Sequence, residues 1–150
     1  RLNIMRAREG KNLQQDLLQR KKEVSQHLKK IKNCCTQTLR DLPQKMAARI
    51  KEQLSGQEID PKRLQQELSF FMERTDVNEE LVRIDSHLQQ FELFINENPA
   101  EGKKIEFLLQ ELQREFNTLS VKIRSAEVSH LVVQVKNELE KMKEQILNVE

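Results

Sequence analysis

Three observations predict an all-α protein. The 150 residues include only three Gly and three Pro, with no Trp or Tyr and 33% charged residues. Strands need more β-branched and aromatic residues and more turn signals than that. Leu, Gln, Glu and Lys instead favour long helices. Apolar residues also recur at steps of three and four, most clearly at Ile105, Leu109, Leu112, Phe116, Leu119 and Ile123, which places one stripe on a helix. Finally, the stop and start signals are few and sharply placed. The expected architecture is a basic helical arm or hairpin over residues 1–56 and a helical bundle over 57–150.

The first helix is expected from about Leu2 to Leu42. Val24, Leu28, Ile31 and Cys35 hold a coiled-coil-like spacing, while Gln14 and Lys21 fall on the same seam and spoil it. Leu42-Pro43 predicts a break, because proline removes a donor and restricts its predecessor. A second helix from Gln44 to Leu54 then carries Met46, Ile50 and Leu54, with Gly56 as its stop. Asp60-Pro61 reads as an N-cap followed by proline at the first helical position. The third helix carries Leu64, Leu68 and Phe71. Asp76 with Glu79 three residues on resembles a capping box. A fourth helix follows with Val77, Leu81, Ile84, Leu88, Phe91 and Ile95. Asn96 to Gly102, with Pro99, is the expected loop. The fifth helix is the Ile105–Ile123 stripe. Arg124-Ser125 marks a kink or cap before the sixth, which carries Val128, Leu131, Val132, Val135, Leu139, Met142 and Ile146.

No apolar run is long enough to span a bilayer, and no secretory signal pattern is present. The chain starts at Arg1 inside a helical pattern, so a piece of a longer protein is expected. Cys34 and Cys35 are adjacent, point about 100° apart on a helix, and are expected as free thiols of a cytoplasmic protein. A zinc site lacks its Cys/His spacing.

Net charge is +2, yet the halves differ. Arg1 to Ile50 holds 13 Lys and Arg against 4 Asp and Glu; Lys51 to Glu150 holds 13 against 20. A basic first third suits a polyanion partner, bound in a salt-dependent way. The plain alternative is that it docks on the acidic remainder.

Residues beside the apolar stripes carry the chemistry. On the fourth helix Asp76, Glu80, Arg83 and His87 share one flank; on the fifth Lys104, Glu111, Glu115 and Lys122 share another. Packing these flanks together is expected to gather Glu80, His87, Glu111 and Glu115. Three carboxylates and an imidazole suit Mg²⁺ or Mn²⁺, which can activate water and clamp a phosphodiester. The plain alternative is ordinary surface pairing, Glu80 with Arg83 and Glu111 with Arg114. His27 and His130 are read as structural. Lys103 and Lys104 follow Gly102 at a helix N-terminus, a seat for phosphate. Phe107 points away from its stripe and is expected to be covered by protein or to stack on a base. There is no phosphate-binding glycine loop, nucleophile elbow or HExxH helix.

Two blocks resemble the YicC-like family. Arg74-Thr75-Asp76-Val77-Asn78-Glu79-Glu80, continuing through Arg83 to Ser86-His87, matches one of its signatures. Gly102 to Thr118, with Lys104, Phe107, Gln110-Glu111, Arg114-Glu115 and Asn117-Thr118, matches another. Met5 to Gly10 and the stretch from Val132 to Glu150 are also similar. The resemblance implies the carboxyl-terminal half of a stress-induced, bacterial, cytoplasmic, metal-dependent endoribonuclease that assembles as a ring-like homo-hexamer around RNA. Two positions depart from the pattern. Glu106 stands for the family's Asp before Phe107, and Ser120-Val121-Lys122 stands for Gly-Ser-Lys.

On this reading Glu80, His87, Glu111 and Glu115 hold the ion and water as metal and catalytic residues. Arg83, Lys103, Lys104, Arg114 and Lys122 hold RNA phosphates. The alternatives are a non-catalytic helical oligomerisation module and an RNA-binding adaptor.

Overall fold

A computed structural model describes residues 2–54, 56, 58, 60–97 and 102–149. Among them the chain forms five helices and no strand: α1 (Leu2–Gln53), α2 (Pro61–Arg74), α3 (Asn78–Glu97), α4 (Gly102–Ile123) and α5 (Ala126–Val149). The all-α expectation holds. Principal contacts run α1 to α3, α3 to α4, α4 to α5 and α5 back to α1, which closes a four-helix ring.

Each of these four helices turns its sequence-predicted stripe into that ring. Val24, Leu28, Ile31 and Cys35 of α1 meet Ile84, Leu88, Phe91 and Ile95 of α3 in one core. The Ile105–Ile123 ladder of α4 and Val128, Val135, Leu139 and Met142 of α5 complete it. Phe91 and Phe116, both essentially inaccessible, are its largest side chains. The two polar residues on the α1 seam are used rather than buried idle. Gln14 donates to Asn96 at 3.1 Å and Lys21 pairs with Glu92 at 2.5 Å, both on α3.

The expected break at Leu42-Pro43 is absent, so the first two predicted helices are one and the helix count is five rather than six. Pro43 lies inside α1 and is exposed. Its ring costs the Leu39 carbonyl a partner, an effect of about 3 kcal/mol in an ordinary helix interior. Beyond the bundle, Leu42, Met46 and Ile50 of α1, with Leu54 just after it, face Leu64 and Phe71 of α2 around a cleft of about 670 Å³, and the contacts between α1 and α2 hold the chain on the far side of the proline. Proline's rule is local, and it loses where tertiary contacts hold both sides of the site.

Other signals hold. The Asp60 carboxylate accepts from Lys62 N at 3.1 Å with Pro61 behind it. Gly56 takes φ +92, which ends the run after α1. The Asp76–Glu79 capping box forms only by half: the Asp76 carboxylate accepts from Asn78 N at 3.0 Å, while Glu79 pairs with Arg83 and the Asp76 N–H donates to the Glu73 carbonyl. Pro99 of the expected loop lies outside the described residues. Ser125 caps α5, its Oγ accepting from Val128 N at 3.3 Å. Arg124 alone links α4 to that cap, with φ 51.

Both cysteines are free thiols. Cys35 is buried in the core, and burial first, then neighbouring Cys34, pushes its pKa up to about 11. Half-buried Cys34 is also raised, by burial and then by Glu127 of α5.

Candidate metal centre on the α3–α4 seam

α3 and α4 run antiparallel across a short link, so residues equally far from the link come level. Their apolar stripes zip together, and the flanking positions form a polar seam beside them. Lys104 lies 5.7 Å over the Phe94 ring near the link. His87 meets Glu111 and Glu115 at mid-length. Arg83 stands 3.6 Å from Glu115. At the far end Lys122 donates to Glu80 at 2.5 Å and to the Asp76 carbonyl at 3.3 Å.

The structure thus brings three of the four expected ligands together. His87, Glu111 and Glu115 each offer a donor atom, and these atoms lie within 4.8 Å of one another. Glu80 does not join them, contrary to expectation. It is 3% exposed, and Lys122 takes one of its carboxylate oxygens. Helical spacing assigns a flank but not an axial level. Lys122 is level with Glu80, whereas Glu111 lies about three turns nearer the link. Counting outward from Glu97 and Gly102 was the signal that would have separated them.

The donor set fits a divalent cation. Ligands about 2.1 Å from an ion lie at most about 4.2 Å apart, so only sub-ångström adjustment separates these atoms from a coordination shell. His87 Nδ1 is buried without a hydrogen-bond partner, as is Glu80 Oε2. Such orphans call for an explanation. Glu115 is only 7% exposed, and its ion-pair partner is Arg83 at a loose 3.6 Å. A buried carboxylate so weakly paired is costly unless another cation compensates it. Carboxylate oxygens and an imidazole nitrogen are donors that divalent cations accept.

The expected phosphate-binding residues divide. Lys103 and Arg114 are exposed on α4. Arg83 is half exposed but is shared between Glu79 and Glu115. Lys122 is turned inward to Glu80, and Lys104 leans on Phe94. The simple pairs Glu80–Arg83 and Glu111–Arg114 are not formed among the described residues. Phe107 is 59% exposed on the outer face of α4, as its position off the stripe predicted. Of the two departures, Glu106 is half-buried; at the other, Ser120 Oγ lies 3.2 Å from Ser129 Oγ, and Val121 faces solvent. His27 Nδ1 lies 2.7 Å from the Glu23 carbonyl, and His130 lies 3.3 Å from Gln134.

Comparison with known proteins adds the family. Residues 31–150 match a family described as endoribonuclease YicC-like, C-terminal. A relative from Clostridioides difficile named probable endoribonuclease YicC is 38% identical over 151 residues, covering 100% of this chain and 52% of the relative. One of the same name from Haemophilus influenzae is 33% identical over 147 residues, covering 97% and 50%. The chain spans about half the length of these curated relatives.

Proposed function

The chain belongs to the YicC-like endoribonuclease family, and from that premise we propose that the whole protein hydrolyses RNA phosphodiesters with a divalent cation held by His87, Glu111 and Glu115. The observation that carries this is the convergence of two carboxylates and an imidazole, one of them a nearly buried, underpaired Glu115, on one seam. The bound ion would supply activated water and a clamp on the phosphate. The residues of the chain do the rest. His87 and Glu111 fix the seam side of the donor set, and Lys103 and Arg114 receive phosphates flanking the scissile bond. Phe107 offers an exposed ring to a base. Glu80 acts at one remove: its carboxylate anchors Lys122 and so holds the end of α4 in register with α3. A cytoplasmic homo-hexamer closing around RNA belongs to the same reading.

Arg83 is the cation standing beside Glu115 in this structure, so it competes for that carboxylate. Mn²⁺ titration of the 150-residue chain tests the centre without relying on cleavage. Binding by the parent and at least tenfold weaker binding by His87→Ala and Glu111→Gln is the expected result. Equal binding by parent and variants would remove this centre and favour a structural or adaptor role for the seam.

A further inference from the structure

The surplus positive charge of the first third is not spread evenly around α1. At about 100° per residue, Lys11, Lys22, Lys29, Arg40 and Lys51 fall within about 40° of one another, and Arg8 within about 60° of them all. All six are exposed. The helix contains five acidic residues, Glu9, Asp16, Glu23, Asp41 and Glu52. By the same rotation they cluster within about 40°, centred about 120° away from the cations. Lys11 to Lys22, and Lys29 to Arg40 to Lys51, are steps of eleven residues, close to three whole turns. Amides stand between them at Gln15, Gln26, Asn33 and Gln44, all exposed. The result is an acid-free basic stripe about 60 Å long.

This stripe is distinct from the cations that hold the bundle together. Arg20, Lys21 and Lys32 pair with Glu138, Glu92 and Asp85 on neighbouring helices. The six stripe cations make no ion pair among the described residues. Docking of the basic third on the acidic remainder therefore uses the inward cations and leaves the outward row unspent.

We infer that the outward face of α1 is a track for the RNA phosphate backbone, separate from the α3–α4 centre and blind to base sequence. The inference rests on the reading that the whole protein acts on RNA. Among the described residues the face shows no large exposed apolar anchor, which a protein partner or a membrane surface would need. α1 also contains no Phe, Tyr or Trp, and His27 lies about 140° round the helix from the stripe, so the stripe offers no ring on which to stack an unpaired base. What remains is regularly spaced cations with amide donors, suited to phosphates and 2′-hydroxyls along a rigid double helix. A straight helix facing a straight duplex repeats its contacts without bending either. α3 lies between α1 and α4 in the ring of contacts, so the track would hold RNA away from the metal centre rather than in it.

The test uses the 150-residue chain with an RNA duplex and an unstructured single strand, each long enough to span the face, titrated over a salt series. Lys22→Gln/Lys29→Gln/Arg40→Gln removes three stripe charges at exposed positions. Its expected effect is a fall of about 2.7 in the log affinity against log salt slope for duplex, about 0.9 per contact. Affinity at low salt should drop at least tenfold, with Mn²⁺ binding and the thermal transition unchanged. Lys22→Arg/Lys29→Arg/Arg40→Lys should bind as the parent does. Duplex should bind at least as tightly as single strand. An unchanged slope in the stripe variant, with the loss appearing instead in Lys103→Gln/Arg114→Gln, would overturn the track and leave the proposed centre standing. Tighter binding of single strand than of duplex would overturn the backbone-only mode. RNA binding absent from the parent would overturn the track, and Mn²⁺ binding that is also insensitive to His87 and Glu111 would take the proposed function with it.

Discussion

Two polar seams flank the same core and are built differently. Between α1 and α5, Arg20 bridges Asp16 at 3.2 Å and Glu138 at 3.1 Å, and Gln145 donates to Asp16. Burial alone would lower the Arg20 pKa, but the hydrogen bonds to Glu138 and Asp16 outweigh it and raise the value. The unpartnered atom there is Gln145 Oε1, a neutral amide oxygen. Between α3 and α4 the orphans are an imidazole nitrogen and a carboxylate oxygen, and Glu115 is held only at 3.6 Å. One seam spends its charges on holding helices together; the other does so only at its Glu80–Lys122 end and at mid-length keeps titratable groups converging and underused. The difference teaches where to look for chemistry, because interhelical charge by itself marks neither.

The sharpest way to break that comparison is Glu115→Gln. Removing the anion also removes its i,i+4 repulsion with Glu111, worth a few tenths of a kcal/mol. Thermal stability without metal should stay unchanged or rise slightly. Mn²⁺ affinity, and RNA cleavage by the full-length protein, should fall about 10- to 100-fold. A destabilised protein with undiminished metal binding would show that the α3–α4 seam is as structural as its counterpart.

The sequence made one side of this contrast readable and hid the other. Periodicity placed Ile84, Leu88, Phe91 and the Ile105–Ile123 ladder in the core, where the structure has them. Asp60-Pro61 and Ser125 are local signals, and the backbone obeys both. Pro43 is equally local, yet α2 packing against Met46 and Ile50 overrules it. Flank membership brought His87, Glu111 and Glu115 into one candidate set. It could not tell that Glu80 sits at the level of Lys122, because axial offset depends on two helices and their link. The Arg20 bridge was invisible for the same reason: Glu138 lies 118 residues away.

Arg20→Met tests the closed seam. Asp16 and Glu138 would be left facing one another, with Glu138 only 15% exposed. The site is partly solvated, so the loss should be about 1–2 kcal/mol rather than the 3–5 kcal/mol of a fully buried pair. Denaturant unfolding would show it as a lower midpoint with unchanged slope. Metal binding at His87 should be unaffected, since the two seams share no side chain. A loss of metal affinity without loss of stability would reverse the assignment of roles.

A smaller effect, confined to alkaline solution, comes from Cys35 of α1. Its folded pKa of about 11 lies above its ordinary 9.0, so the folded chain keeps a proton that the unfolded chain gives up. Stability from this thiol is complete below about 9 and is lost as pH climbs toward about 11. Cys35→Ser should flatten that decline in thermal melts over pH 9 to 11. A decline of the same steepness in the variant would assign it to other groups. At neutral pH, alkylation without reductant should label Cys34 ahead of Cys35, and both after denaturation.

The least disruptive test acts at the joint between the seams. Arg124 is exposed and adopts φ 51, a left-handed conformation that costs a side-chain-bearing residue about 1–2 kcal/mol. Its N–H still donates to the Ser120 carbonyl at 3.2 Å and so closes α4. Glycine would keep that bond and relieve the strain, offset in part by its freer unfolded chain. Arg124→Gly should therefore stabilise the fold by about 0.5–1 kcal/mol, seen as a rise of about 1–4 °C in Tm. Because the joint orients α4 and α5 together, the gain should appear with both seams intact and with Mn²⁺ affinity unchanged. A stabilised fold with altered metal affinity would mean that the α4–α5 turn sets the height of Glu111 and Glu115 on the seam. A lower Tm would mean that the Arg124 side chain contributes more than its backbone strain costs.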